Sequence, residues 1–119
     1  ALFALGDLHA SMGDGEVTGN GIEIGGATTV RVELVKGRRW ARPWFETADS
    51  WITTASEPTI LEGIRVAVRD MVDLLAERLG LRREDAYMLI SARGDARLGQ
   101  ACGGMPSTVR VVFPKLKRQ

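Results

Sequence analysis

Cysteine is almost absent from this sequence: Cys102 stands alone, so no intramolecular disulfide can staple the fold, and a lone thiol suits a reducing compartment. A cytoplasmic protein is expected. Neither charge is in surplus, since 16 Lys and Arg face 15 Asp and Glu, and a formal charge of +1 leaves no global field to recruit nucleic acid or an anionic membrane. No apolar run approaches the roughly 20 residues that span a bilayer. The opening apolar run at residues 1–5 also lacks the basic flank of a signal peptide, so neither insertion nor export is expected. Histidine is as scarce as cysteine, with His9 the only one.

What is present is the composition of a folded domain, 45% hydrophobic and 26% charged, in 119 residues that can bury one core but not two. Residues 1–119 are therefore read as a single unit. The chain starts at Ala1 and enters directly on an apolar run, the pattern expected of a processed product, a fragment or one subunit of a split protein.

The pattern along the chain predicts strands at both ends and helices between them. Residues 1–5 read as a buried strand, and Gly21-Ile22-Glu23-Ile24 alternates like a second. Residues 28–35 alternate more strongly, with Val30, Val32 and Leu34 on one face and Arg31, Glu33 and Val35 on the other, which predicts a strand with one buried side. Trp40, Trp44, Phe45 and Trp51 crowd into irregular strand and loop, read as core rather than as the wall of a site, and residues 51–54 favour a strand. A long helix is predicted over residues 59–79. Thr59 and Glu62 form its capping box, Ile60, Ile64, Ala67, Val68, Met71, Leu74 and Leu75 its apolar stripe, and Gly80 its stop. A shorter helix follows over residues 83–92, buried through Ala86, Leu89 and Ile90. Gly94 ends it, Asp95 reads as a turn or cap residue, and residues 107–113 form the last strand. Arg38-Arg39 and the tail at residues 115–118 read as solvated charge, and Cys102 as a small buried residue. The order of elements suggests an α+β unit.

The segment to explain is residues 6–26, where glycines recur and Asp7, His9, Asp14 and Glu16 fall within ten residues. Imidazole and carboxylate suit zinc, and carboxylates suit harder cations. Asp7 and His9, two apart, would share a side of an extended segment, and Gly13 and Gly15 make the fold-back that brings Glu16 near them sterically cheap. The same residues also suit plain turns in which Asp bonds its own backbone. A dinucleotide-binding loop is disfavoured, because strand-like residues rather than a helix follow Gly13 and Gly15.

The run from Gly6-Asp7-Leu8-His9 through Gly13-Asp14-Gly15-Glu16 to Gly21-Ile22-Glu23 resembles the signature of the acetamidase/formamidase family, with weaker agreement through residues 44–54, the long helix and residues 85–91. The resemblance covers most of the chain and corresponds to the C-terminal part of the family. It implies a mainly β, sandwich-like scaffold with one long and one short helix packed against it. It also implies hydrolysis of small linear amides such as formamide and acetamide to carboxylate and ammonia. Carried over by position, Asp7, His9 and Glu16 become ligands of a divalent metal, zinc first and calcium the alternative, and Glu16 and Asp14 the catalytic carboxylates. Whole family members carry an N-terminal region with further site residues. A second polypeptide or that missing portion is therefore the expected partner, with a homo-oligomer also open. The competing expectation is a non-catalytic binding or structural module that keeps the fold.

Overall fold

The structure, a computed structural model, describes residues 4–103 and 106–116. In chain order these form β1 (His9–Ser11), β2 (Ile22–Glu23), β3 (Trp44–Glu46), β4 (Ser50–Glu57), α1 (Ile60–Leu79), α2 (Arg83–Arg93), β5 (Asp95–Gln100) and β6 (Ser107–Pro114). β1 and β2 make a small antiparallel pair, and the other four strands an antiparallel sheet in the order β3-β4-β6-β5. This is the α+β unit that the element order predicts. Among the described residues, no helix is long and apolar enough to cross a membrane.

Alternation fixes the register of the sheet. Trp51, Thr53 and Ala55 of β4 lie opposite Phe113, Val111 and Val109 of β6, and all six are buried. A slip of one residue would turn this whole set away from the core, which makes the pairing strongly specified. Helix α1 covers the same face with Gly63, Ala67, Met71, Val72, Leu74 and Leu75. The stripe is rotated from the one expected: Ile60 is exposed, Ile64 and Val68 are only partly buried, and Gly63 and Val72 turn inward instead. The cause is close approach at Gly63, where a Cβ would meet Val109 Cγ2 at 3.0 Å, so the glycine lets the helix backbone settle on the sheet. One buried hydroxyl joins the layers, Thr53 Oγ1 donating to Ala67 O at 2.7 Å.

The helix ends follow their sequence signals. Thr59 Oγ1 accepts from Glu62 N at 3.2 Å, its hydroxyl lies 2.7 Å from Glu62 Oε2, and Gly80 closes the helix with φ 66°. Gly94 ends α2 in an extended conformation, with its N–H on Ile90 O.

Four expectations need correction. Residues 28–35 form no strand, and Val30, Val32 and Leu34 are exposed. The alternation is there, but a strand needs a neighbour for its backbone groups, and among the described residues none lies beside it. Leu5 belongs to no strand and is exposed, while residues 1–3 of that expected strand lie outside the described residues. Asp95 is not a turn residue but opens β5, paired with Val112. The composition Asp95-Ala-Arg-Leu-Gly-Gln100 has little intrinsic strand preference, and the free edge of β6 imposes it. The aromatic group divides: Trp51 is core and Trp44 packs against it, whereas Trp40 and Phe45 are exposed. Arg38 pairs with Glu77, Lys115 pairs with Glu46, and residues 117–118 of the basic tail lie outside the described residues.

Two predictions follow from this packing. Thr53→Val should keep the shape and lose the hydroxyl bond to Ala67, lowering stability by about 1 kcal/mol in urea unfolding. No change would mean that the contact holds nothing. Glu46 accepts from Lys115 Nζ at 2.8 Å and from Trp51 Nε1 at 3.2 Å, and Arg78 is close by. Lys115, first of these, holds the Glu46 carboxyl below its ordinary value of 4.5. A depressed carboxyl stabilises the fold fully above the unfolded value and loses that contribution as pH falls through the lower folded value. Glu46→Gln should therefore flatten the decline of the urea midpoint between about pH 5 and about pH 3. An unchanged decline would show that the group is not linked to folding.

Candidate active site

Asp7 and Glu16 have left-handed backbones, φ 53° and 41°, a conformation of order 1–3 kcal/mol for residues with a Cβ that surrounding contacts must over-determine. For Glu16 those contacts are explicit. Its N–H donates to Gly13 O at 3.1 Å, its carbonyl accepts from Gly19 N at 2.7 Å, and Gly15 O accepts from Ala101 N at 2.7 Å. The loop is thereby bridged in parallel to Gln100, at the end of β5. The Glu16 side chain is turned inward, 4% exposed, and its Oε2 accepts from Gln100 Nε2 at 2.6 Å.

Gln100 reaches Glu16 through a one-residue irregularity in β5. Leu98 pairs with Val109 but Gln100 pairs with Thr108, so Gly99 is an extra residue in the ladder. Regular pairing would put Gln100 on the same face as Leu98, which packs toward the core. The bulge re-aims it to the other face, away from the helices. That face also carries Arg110 of β6, which pairs with Asp14.

His9 is the hub of the loop. Its Nε2 lies 2.8 Å from Glu23 Oε1 and 3.3 Å from Asp7 Oδ1, and its Nδ1 lies 4.0 Å from Glu16 Oε1. The β1–β2 register, His9 opposite Glu23, brings the first pair together. Gly21 gives the ring its seat, since a Cβ there would come within 2.8 Å of His9 Cγ. The imidazole is largely buried at 12% exposure, whereas Asp7 and Glu23 stand open at 81% and 60%.

Asp7, His9 and Glu23 each offer a ligand atom, all within 4.8 Å of one another. Around tetrahedral zinc, with bonds of about 2.0–2.2 Å, neighbouring ligand atoms lie roughly 3.3 Å apart. The imidazole-to-carboxylate separations are of that order, and the set of one nitrogen and two carboxylates fits a divalent ion. Of the residues singled out from sequence, Asp7, His9 and Glu16 therefore gather at one imidazole, with Glu16 facing its other nitrogen, while Asp14 turns aside to Arg110. Glu23 and Gln100 were not singled out. Glu23 carried a signal in the Gly21-Ile22-Glu23 strand, whose alternation could have been paired with His9. Gln100 carried none, because 84 residues separate it from Glu16.

A cavity of about 270 Å³ lies at the far edge of the sheet, lined by Arg38, Trp40, Arg42, Asp70 and Glu77 among others. Four of its charges are paired with one another, Arg42 with Asp70 and Arg38 with Glu77.

Residues 1–115 match the model of the Acetamidase/Formamidase family. The chain belongs to that family. Among solved structures it is similar to an acetamidase from Bacillus halodurans, with 34% identity and a TM-score of 0.78 over 89% of this chain and 36% of that one. It is also similar to an acetamidase from Yersinia enterocolitica, with 32% identity and a TM-score of 0.82 over 89% of this chain and 32% of that one. No match was found among curated proteins. This acetamidase/formamidase family member thus spans about a third of the length of the solved acetamidases it matches.

In this family member the Gln100–Glu16 contact is open to a double-mutant cycle. Gln100→Met should leave a buried carboxyl short of a donor and cost about 1–3 kcal/mol in urea unfolding, and the same change made on a Glu16→Met background should cost clearly less. Equal costs on both backgrounds would show that the two side chains are not coupled.

Proposed function

We propose that this chain carries the reactive loop of a hydrolase of small linear amides, the formamide and acetamide class, within an assembly completed by further polypeptide. The supporting observation is the grouping about His9: a buried carboxylate, Glu16, on one side of the imidazole, and Asp7 and Glu23 on the other. The names of the solved relatives, both acetamidases, point to the same substrate class.

Hydrolysis adds water to the amide carbonyl carbon, breaks the C–N bond and releases carboxylate and ammonia. Asp7, His9 and Glu23 are the residues that would hold a divalent ion, zinc by its affinity for this donor set and calcium as the alternative. Such an ion supplies Lewis acidity for the carbonyl and lowers the pKa of water from about 15.7 toward about 7. Glu16 takes the water proton and returns it to the departing nitrogen, which leaves poorly unless protonated. Gln100, by holding Glu16 Oε2, leaves Oε1 on the His9 side. Asp14, paired with Arg110, supports the loop rather than the reacting atoms.

A second reading is favoured by the exposure of Asp7 and Glu23. A site this open on its own chain can hold an ion without excluding water, as a binding module would.

The test is ammonia release from formamide and acetamide by the natively purified assembly, with mass spectrometry to identify every polypeptide in it. Chelator should abolish release. Glu16→Gln should lower kcat by about 10²–10⁴-fold with folding retained. An intact, metal-loaded assembly that releases no ammonia would decide for the binding module.

A further inference from the structure

We infer that residues 28–35 are a docking strand, paired in the working protein by the polypeptide that supplies the part of the amidase fold this chain does not span. This rests on the proposed reading that such a polypeptide completes the assembly. The segment has the period of a half-buried strand, with Val30, Val32 and Leu34 alternating against Arg31, Glu33 and Val35. Yet Val32 and Leu34 are 79% and 81% exposed, and no strand of the described residues pairs with them. The last backbone bond before the segment is Ile24 N to Leu8 O, and residues 28–35 enter none of the loop and turn bonds that follow it. A β-patterned segment with a free row of N–H and C=O groups is a template for strand addition.

The exposure is regional. Of the sixteen large hydrophobics exposed among the described residues, ten lie between Leu5 and Trp40, the stretch that also carries Asp7, His9, Glu16 and Glu23. Exposed apolar side chains concentrated in one stretch of the chain, rather than scattered singly, are what a region covered by further polypeptide would carry.

The identity of the occupant follows from size. The solved acetamidases are matched over only 36% and 32% of their lengths, so roughly two thirds of that fold lies in polypeptide this chain does not supply. A second copy is the weaker candidate. Antiparallel self-pairing about Val32 would set Arg31 opposite Glu33, but it covers one edge only and leaves Val17, Ile22 and Ile24 bare. A two-stranded ribbon without a layer behind it is marginal in water. The rest of the fold can supply both a neighbouring strand and an apolar layer.

The test purifies this chain natively through a tag on it, together with the polypeptide that completes the assembly, and follows amide exchange by mass spectrometry in that material and in the chain alone. The expected result is a complex in which the amides of residues 29–35 are protected relative to the chain alone. Val32→Pro should weaken that complex roughly a hundredfold while leaving the circular dichroism of the isolated chain unchanged. A complex whose residues 29–35 exchange as fast as in the chain alone, or one that Val32→Pro leaves intact, overturns the docking strand and leaves the completion reading standing. Absence of any complex overturns both. Protection in the chain alone, with a dimer in native mass spectrometry, gives the strand to a second copy and overturns the inference.

Discussion

The pairing of β4 with β6 governs the rest of the molecule. Trp51 against Phe113, Thr53 against Val111 and Ala55 against Val109 form one continuous apolar surface, and α1 is helical in the folded chain largely because Met71, Leu74 and Leu75 have that surface to bury against. The same strand β6 then serves a second neighbour. Its other edge imposes strand structure on residues 95–100, which would not be chosen as a strand on propensity, and the end of that imposed strand is where the Glu16 loop is anchored. The fold and the site are therefore connected through a single strand: β6 aligns β5, the Gly99 bulge re-aims Gln100, and Gln100 holds Glu16.

This chain of supports explains the asymmetry around His9. Glu16 is buried because it is tied to the four-stranded sheet, which has a core behind it. Glu23 belongs to the β1–β2 pair and Asp7 to the chain just before it, a region with no such layer among the described residues, and both carboxylates stand in solvent. The imidazole sits between the two supports. A group proposed to move protons benefits from a fixed, dehydrated position, and Glu16 has one. The proposed ion ligands, by contrast, are open to solvent.

Legibility in the sequence followed the same division. α1 could be read almost to the residue, since Thr59, Glu62 and Gly80 are local signals and the apolar stripe is long. Its rotation could not, because it depends on Gly63 meeting Val109, a contact across 46 positions. The strand at residues 107–113 was legible from alternation, and β5 was not, because its partner rather than its composition makes it a strand. At the site, Asp7, His9 and Glu16 stood out by density of chemistry in a glycine-rich loop. Glu23 needed the hairpin register, and Gln100 needed the tertiary fold.

Residues 28–35 are the instructive disagreement. Hydrophobic alternation reports that a segment is built to be half-buried, and it does not report which polypeptide does the burying. In β4 the pattern and the partner lie in the same chain, so pattern and structure agree. In residues 28–35 an equally regular pattern ends in solvent, with Val32 and Leu34 among the most exposed apolar side chains of the fold. Alternation kept where the chain's own fold gains nothing from it is what a strand matched to a surface elsewhere would carry, which is the basis of the docking strand inferred above.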